Sequence, residues 1–213
     1  MNRCFGRCGA GFTLAEILVV VAILLALSVL LVSAVRTVMS YAHFARCAAN
    51  LQNISAASRS YAADNRGTIP PNASGIGVFA TALRPYLGED GLSKSNSLKR
   101  SVLICSADPD SYDIAEYGLS YAQNGYIGAV SGLMANRVGL SIASWEHPSK
   151  MAVYLDYESH YVATVSTWQE ERVALLAQRH GGKINVAFGD GHIEPVVMTN
   201  IDWNLPNSFW QGR

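Results

Sequence analysis

The residues best suited to chemistry lie in the last third of the chain, at His180, Asp190 and His192. Histidine and aspartate are common metal ligands, and a histidine beside a carboxylate can also act as a general base. Three further candidate ligands come earlier in the sequence, namely Asp156, Glu158 and His160. Against a shared metal site, Asp190 and His192 flank a predicted turn on opposite strands, and no nucleophile stands in a recognisable catalytic setting.

The same residues also suit a structural role, which we favour over catalysis. Asp190 can start a turn because its side chain bonds nearby backbone amides, and Gly191 can supply a positive φ. His180 is then expected to cap the hairpin or to bond Asp190, with Gly181-Gly182 letting the chain turn beside them. A third interpretation, between these two, is a recognition surface in which this corner of the fold contacts another protein. The sequence therefore predicts no catalytic residue and no metal ligand.

A second candidate site is the acidic segment from Asp108 to Asp113, which carries three carboxylates in six residues. Such a segment could hold Ca²⁺, but it lacks the glycine and the distal glutamate of an EF-hand loop. A solvated turn is the favoured interpretation, so no cofactor is predicted and calcium is the weak alternative. The 16 basic and 16 acidic side chains cancel, and no basic patch indicates nucleic acid as a partner.

The four cysteines fall into two pairs on either side of an apolar run. Cys4 and Cys8 precede the run, whereas Cys47 and Cys105 follow it. If the run crosses a membrane and the rest is exported, Cys47 and Cys105 reach an oxidising compartment, where a disulfide between them can form. Two separate buried thiols are the alternative, because sequence does not give the distance between the two side chains.

The apolar run extends from Ile17 to Val35 and is interrupted only by Ser28 and Ser33. As a helix, its nineteen residues would span roughly 28 Å, close to the hydrocarbon thickness of a bilayer. Arg3 and Arg7 precede the run and favour a cytoplasmic N-terminus with an exported C-terminus. We therefore expect a single-pass membrane segment.

Helical patterning continues beyond the run to about residue 64, with Gly67 as the expected stop. In the following region we predict a short helix from Val78 to Leu87 and a short strand from Val102 to Cys105. Two strands, Lys183 to Phe188 and His192 to Val197, are predicted to form a hairpin with a type I′ turn at Asp190-Gly191. On the first of these strands, three alternating apolar residues face one side, namely Ile184, Val186 and Phe188. The predicted fold is α+β, with an antiparallel sheet packed on the long N-terminal helix.

A carboxylate stands at the entrance of the apolar run, in the sequence Gly11-Phe12-Thr13-Leu14-Ala15-Glu16. Burying it in a membrane without a partner is costly. Cleavage after Gly11 would place a new ammonium at Phe12, four residues before Glu16 and on the same helical face. Each group could also neutralise its counterpart on a neighbouring subunit. A removable signal peptide is disfavoured because the run is too long, whereas a plain signal anchor stays as an alternative.

These residues resemble the N-terminal pattern of type IV pilins and type II secretion pseudopilins. That pattern is a basic leader ending in glycine, then Phe-Thr-Leu, any residue, Glu and an apolar helix. The matching positions are Gly11, Phe12, Thr13, Leu14 and Glu16. The resemblance implies cleavage by a membrane prepilin peptidase between Gly11 and Phe12, and N-methylation of Phe12.

A second resemblance involves His180 and Asp190-Gly191, which are separated by nine residues. This spacing is similar to the H-X9-DG motif of a prepilin-type family that is abundant in planctomycetes and carries a domain of unknown function. Other similar stretches are spread along the chain, namely Cys47 with Asn50-Leu51, Tyr61 with Asp64 and Pro70, Leu103 to Cys105, and Ser120-Tyr121 with Asn124-Gly125. The resemblance names a family and no reaction.

Together these observations predict four segments: a basic leader over 1–11, a transmembrane assembly helix over 12–35, its amphipathic continuation over 36–66, and an exported head over 67–213. The expected function is a structural pilin or pseudopilin subunit rather than an enzyme, held in the inner membrane with its head in the periplasm or on the cell surface. Its expected partners are prepilin peptidase, other pilin subunits and the inner membrane. The alternatives are a membrane-anchored envelope binding module and a metal-dependent enzyme. Pilus or secretion pseudopilus, and major or minor subunit, stay open.

Overall fold

A computed structural model describes most of the chain and shows an α+β protein. The described residues are 13–71, 78–88, 101–108, 119–125, 127, 141–157, 161–162, 179–201 and 208–211. They divide into two compact units, one ending at Tyr41 and one beginning at Ala42. The predicted leader and Phe12 therefore lie outside the described residues.

The first element is the 51-residue helix α1, Leu14–Asp64. Up to Tyr41 its large apolar side chains are exposed, and this part of α1 is long and apolar enough to cross a membrane. From Cys47 onward, α1 contributes buried residues to the core of the second unit, among them Leu51 and Ile54. The prediction of one helix with an apolar first part and a core-packing second part is confirmed.

The C-terminal end of α1 is closed by a left-handed turn. Arg66 and Gly67 both have positive φ, at 57° and 78°, and the Gly67 N–H donates to the Ala62 carbonyl at 2.7 Å. This bond from a residue beyond the helix to its last turn is the Schellman pattern, and it satisfies a carbonyl that the helix leaves free. The helix ends at Asp64 as predicted, although the first left-handed residue is Arg66 rather than Gly67.

The second unit contains a five-stranded sheet and a short helix, α2, Val78–Leu87, which has the predicted bounds. The strands are β1 Tyr121–Asn124, β2 Ala152–Asp156, β3 Tyr161–Val162, β4 Lys183–Phe188 and β5 Ile193–Val197. Their order across the sheet is β3-β1-β2-β4-β5. Four strands pair antiparallel, as predicted, whereas the two-residue β3 pairs parallel with β1 at the edge.

Both faces of the sheet are covered. One core contains Leu51 and Ile54 of α1 together with Tyr121 and Tyr154 of the sheet. The other core, on the opposite face, contains the alternating residues of β4 that sequence placed on one side, Ile184, Val186 and Phe188, with the buried Trp210. The helix α1 therefore covers one face of the sheet, and the chain near the C-terminus covers the other.

The β4–β5 hairpin forms as predicted, but its turn is of another type. The Phe188 backbone N–H donates to the His192 carbonyl at 3.0 Å, and the Phe188 carbonyl accepts from the Gly191 N–H at 2.9 Å. Gly191 has a φ of 93°, while Asp190 does not have a positive φ. The loop thus has three residues with a glycine bulge, whereas a type I′ turn would require a positive φ at two central residues.

The predicted strand from Val102 to Cys105 is wrong. Residues 101–108 form turns, with bonds from Ile104 to Ser101 and from Asp108 to Cys105. A single backbone bond, from Ser120 N–H to the Leu103 carbonyl, links this segment to the residue that precedes β1. Short apolar runs do not distinguish a strand from a buried turn, and here the segment is a turn that carries the buried Cys105.

Candidate functional site

The histidine and the aspartate of the predicted motif lie at opposite ends of β4. His180 precedes the six residues of β4 and Asp190 follows them, and a strand of that length spans roughly 20 Å. The prediction that His180 caps the hairpin or bonds Asp190 is therefore wrong. A shared metal site or base–carboxylate pair made of these two residues is excluded for the same reason.

At the exposed end, Asp190 performs the turn-forming role that the sequence predicted. Its Oδ1 accepts from the His192 backbone N–H at 3.1 Å and lies 2.6 Å from His192 Nδ1. The His192 ring stacks on Phe188, with ring centroids 4.4 Å apart. Arg59 of α1 donates to the Asp190 carbonyl at 3.2 Å, which ties the turn to the helix.

At the buried end, His180 lies beside a disulfide. Cys47 of α1 and Cys105 of the 101–108 segment are bonded, with their Cα atoms 5.2 Å apart, and both residues are buried. The disulfide that the sequence left open is thus formed, and the alternative of two separate thiols is wrong. His180 Nε2 lies 3.3 Å from Cys105 Sγ, and the edge of the His180 ring packs against Phe44.

A buried carboxylate completes this cluster. Asp156, the last residue of β2, places Oδ2 3.6 Å from His180 Nε2, and both side chains are 1% exposed. The same oxygen accepts two hydrogen bonds from Asn185 of β4, from its backbone N–H at 2.7 Å and from its side-chain amide at 3.0 Å. Asp156 Oδ1 and His180 Nδ1 are buried without a hydrogen-bond partner among the described residues.

Burial controls the protonation of this pair. It raises the pKa of Asp156 to about 7, and the hydrogen bonds from Asn185 offset only part of that rise. The pKa of His180 is lowered to about 4, mainly by burial and also by the nearby charges of Arg179 and His43. A low-dielectric site disfavours both charged forms, so the pair favours a neutral imidazole beside a carboxyl group that titrates near neutral pH.

A second buried ion pair stands next to the cluster. Arg179 Nη2 contacts Asp108 Oδ2 at 2.7 Å, and the Ser120 hydroxyl donates to the same oxygen at 2.7 Å. The expectation of a solvated acidic turn is therefore wrong at Asp108, whose carboxylate already has two partners. The remaining residues of the proposed calcium segment, like Glu158 and His160, lie outside the described residues.

Three side chains of this cluster are close enough to bind one metal ion, but they do not form a metal site. The ligand atoms of Cys47, Cys105 and His180 lie within 4.8 Å of one another. The thiolate is the form of cysteine that binds metals, and both sulfurs are joined to each other. With the disulfide closed, only His180 and the neighbouring Asp156 keep ligand atoms.

The predicted assembly residue Glu16 has a partner within its own chain. Its Oε2 accepts from the Thr13 backbone N–H at 2.7 Å and from the Thr13 hydroxyl at 2.8 Å, and the Thr13 hydroxyl accepts from the Glu16 N–H at 3.3 Å. This reciprocal pattern is a capping box, which satisfies N–H groups at the start of a helix. The residues Thr13-Leu14-Ala15-Glu16 match the sequence signature of this motif.

No family model, curated protein or solved structure is significantly similar to this chain.

Proposed function

We propose that this chain is a pilin-like structural subunit that is cleaved after Gly11 and assembles through the apolar part of α1. The observation that carries the proposal is the division of α1 into two parts with opposite surroundings. Up to Tyr41 its large apolar side chains are exposed, and from Cys47 it is built into the core of a disulfide-bonded head. A monomer in water would not keep so large an apolar surface exposed, so this part needs a membrane or neighbouring copies of itself.

The cleavage site supports the same proposal. Gly11-Phe12 stands directly before the start of α1, so that cleavage would leave a new ammonium beside Thr13 and Glu16. The disulfide supports export of the head, since disulfides persist in oxidising compartments. We therefore place the N-terminus in the cytoplasm, the apolar part of α1 in the inner membrane, and the head in the periplasm or on the cell surface.

A second candidate function is favoured by the capping box. Glu16 already has hydrogen-bond partners in Thr13, so its carboxylate does not require a partner from another subunit. On that basis the same helix could serve only as an anchor, with the head acting as a monomeric binding module in the envelope. The two functions differ in whether the charge of Glu16 is needed.

The experiment that distinguishes them compares Glu16→Gln with Glu16→Ala. Glutamine keeps the capping box but removes the charge, whereas alanine removes both. Assembly is measured in native membranes by cysteine cross-linking between copies, with single cysteines placed in the apolar part of α1. If the charge sets the register, both variants lose cross-linking while cleavage after Gly11 continues. Cross-linking at the wild-type level in Glu16→Gln would contradict the role of the charge, and absence of cross-linking in the wild type would favour the anchored module.

A further inference from the structure

The structure leaves His180 without a task in filament assembly, because it is buried beside the disulfide. We propose that His180 is a catalytic residue in the closing of this disulfide, where its Nε2 accepts the proton of Cys105 as the Cys105 sulfur attacks Cys47. This activity belongs to the head alone and does not depend on whether the chain assembles into filaments.

The geometry distinguishes the two cysteines. His180 Nε2 lies 3.3 Å from Cys105 Sγ, within hydrogen-bond distance for sulfur, and the His180 ring packs against Phe44. Nucleophilic thiols are activated by a base at this distance. Cys105 is thus the attacking sulfur, and Cys47 is the sulfur that carries the oxidant.

The reaction balances with an external disulfide as oxidant. Cys47 is buried once the head is packed, so this step precedes packing around Cys47: Cys47 loses its proton to solvent, its thiolate attacks the external disulfide to form a mixed disulfide on Cys47, and the released thiolate takes up a proton. His180 Nε2 then takes the proton of Cys105, and the thiolate displaces the second external thiolate from Cys47. That leaving group receives a proton, and His180 returns its own to solvent. Two protein thiols are oxidised, and one external disulfide is reduced to two thiols.

The charged groups around His180 fit this role. Neutral imidazole is the proton-accepting form, and burial keeps His180 neutral at neutral pH. The same burial makes His180 a weak base, so the proton transfer depends on the Cys105 thiolate forming directly beside the imidazolium. Arg179 and His43 disfavour a second positive charge there, but the charge of Arg179 is paired with Asp108. The imidazolium that forms in the reaction has the Cys105 sulfur and the Asp156 carboxyl group on the same side, both near Nε2.

The test follows closure of the disulfide in the full chain in detergent. The protein is reduced with a phosphine in the presence of EDTA, freed of reductant, and oxidised with glutathione disulfide. Acid quenching, alkylation and mass spectrometry separate the mixed disulfide on Cys47 from the closed form. At pH 7 we expect the closing step of His180→Gln to be about a hundredfold slower than that of the wild type, at the lower end of the usual range for a general base. The exposed-histidine control His192→Gln should close at the wild-type rate.

A second readout needs no variant. A free thiol with a pKa near 8.5 gives a closing rate that rises about tenfold per pH unit below that value. With a positioned base, the wild-type closing rate should vary much less between pH 6 and pH 8, and the steep dependence should return in guanidinium chloride. A wild-type profile as steep in native buffer as in denaturant, or equal closing rates for His180→Gln and wild type, would overturn the proposal.

Discussion

The two ends of β4 carry the two parts of one sequence motif, yet they have opposite environments. Before the strand, His180 is buried with Asp156 beside a disulfide, and after the strand, Asp190 is exposed in a turn with His192. The buried end joins segments through a disulfide and a buried carboxylate, whereas the exposed end is a turn that contacts α1 through Arg59. The spacing of the motif is thus the length of a strand, which holds two unrelated sites in a fixed register.

The comparison predicts a large loss of stability from changes at the buried end. The disulfide closes a loop between positions 58 residues apart, and removing such a constraint costs about 4 kcal/mol in a chain-entropy model. The double variant Cys47→Ala/Cys105→Ala should lower the free energy of unfolding of the head by this amount. Urea unfolding of the full chain in detergent, followed by near-ultraviolet circular dichroism, measures it. An unchanged midpoint would mean that the cluster is held without the disulfide.

The shifted pKa values of Asp156 and His180 predict that variants at these two positions depend on pH in opposite ways in their free energy of unfolding. The pKa of Asp156 is raised from 3.8 to about 7, so its stabilising contribution is complete below the unfolded value and is lost as pH rises to 7. The pKa of His180 is lowered from 6.5 to about 4, so its contribution is complete above pH 6.5 and is lost as pH falls to 4. In the wild type these two pH dependences of the free energy of unfolding largely cancel between pH 4 and pH 6.5.

When one residue of the pair is replaced, the free energy of unfolding should show the pH dependence that the other residue causes. Relative to the wild type, His180→Gln should lose stability as pH rises from 4 to 7, and Asp156→Asn should lose it as pH falls from 6.5 to 4. The change is on the order of 3 kcal/mol across each window. Unfolding free energies at several pH values measure it. Parallel profiles for the two variants would show that burial does not shift the pKa values of Asp156 and His180 in opposite directions.

Substitutions in the exposed turn after β4 should lower the free energy of unfolding less than changes at the buried end. Gly191 has a φ of 93°, and an added Cβ would also meet the guanidinium of Arg59. Gly191→Ala should lower the free energy of unfolding by about 1 kcal/mol, because L-residues are strained in this region. Asparagine tolerates positive φ better, so Gly191→Asn is the matched variant and should lose less. Equal losses in the two variants would assign the cost to the contact with Arg59 rather than to the backbone.

Local features of this fold were predictable from sequence, and long-range features were not. The helix end at Asp64, the bounds of α2 and the strands of the hairpin follow from periodicity and turn residues within each segment. The residues around His180 belong to α1, the 101–108 segment and β2. No sequence pattern predicts that these three segments contact one another. The dipeptide Asp190-Gly191 alone does not give the type of turn, because Gly189 also belongs to the loop. Gly189 lies so close to Trp145 that an added Cβ would be 2.8 Å from its ring, and this contact comes from a distant part of the chain.

The pilin-like proposal also concerns residues that the structure does not describe, so it is tested most directly at the N-terminus. The measurement is mass analysis of the N-terminal peptide of the mature protein, isolated from its native membrane. The account predicts a peptide that begins at Phe12 with an added methyl group, because cleavage after Gly11 creates the ammonium next to the capping box. A peptide that begins at Met1, or one that begins after the apolar run, would contradict processing of the prepilin type and leave an anchored or secreted envelope domain.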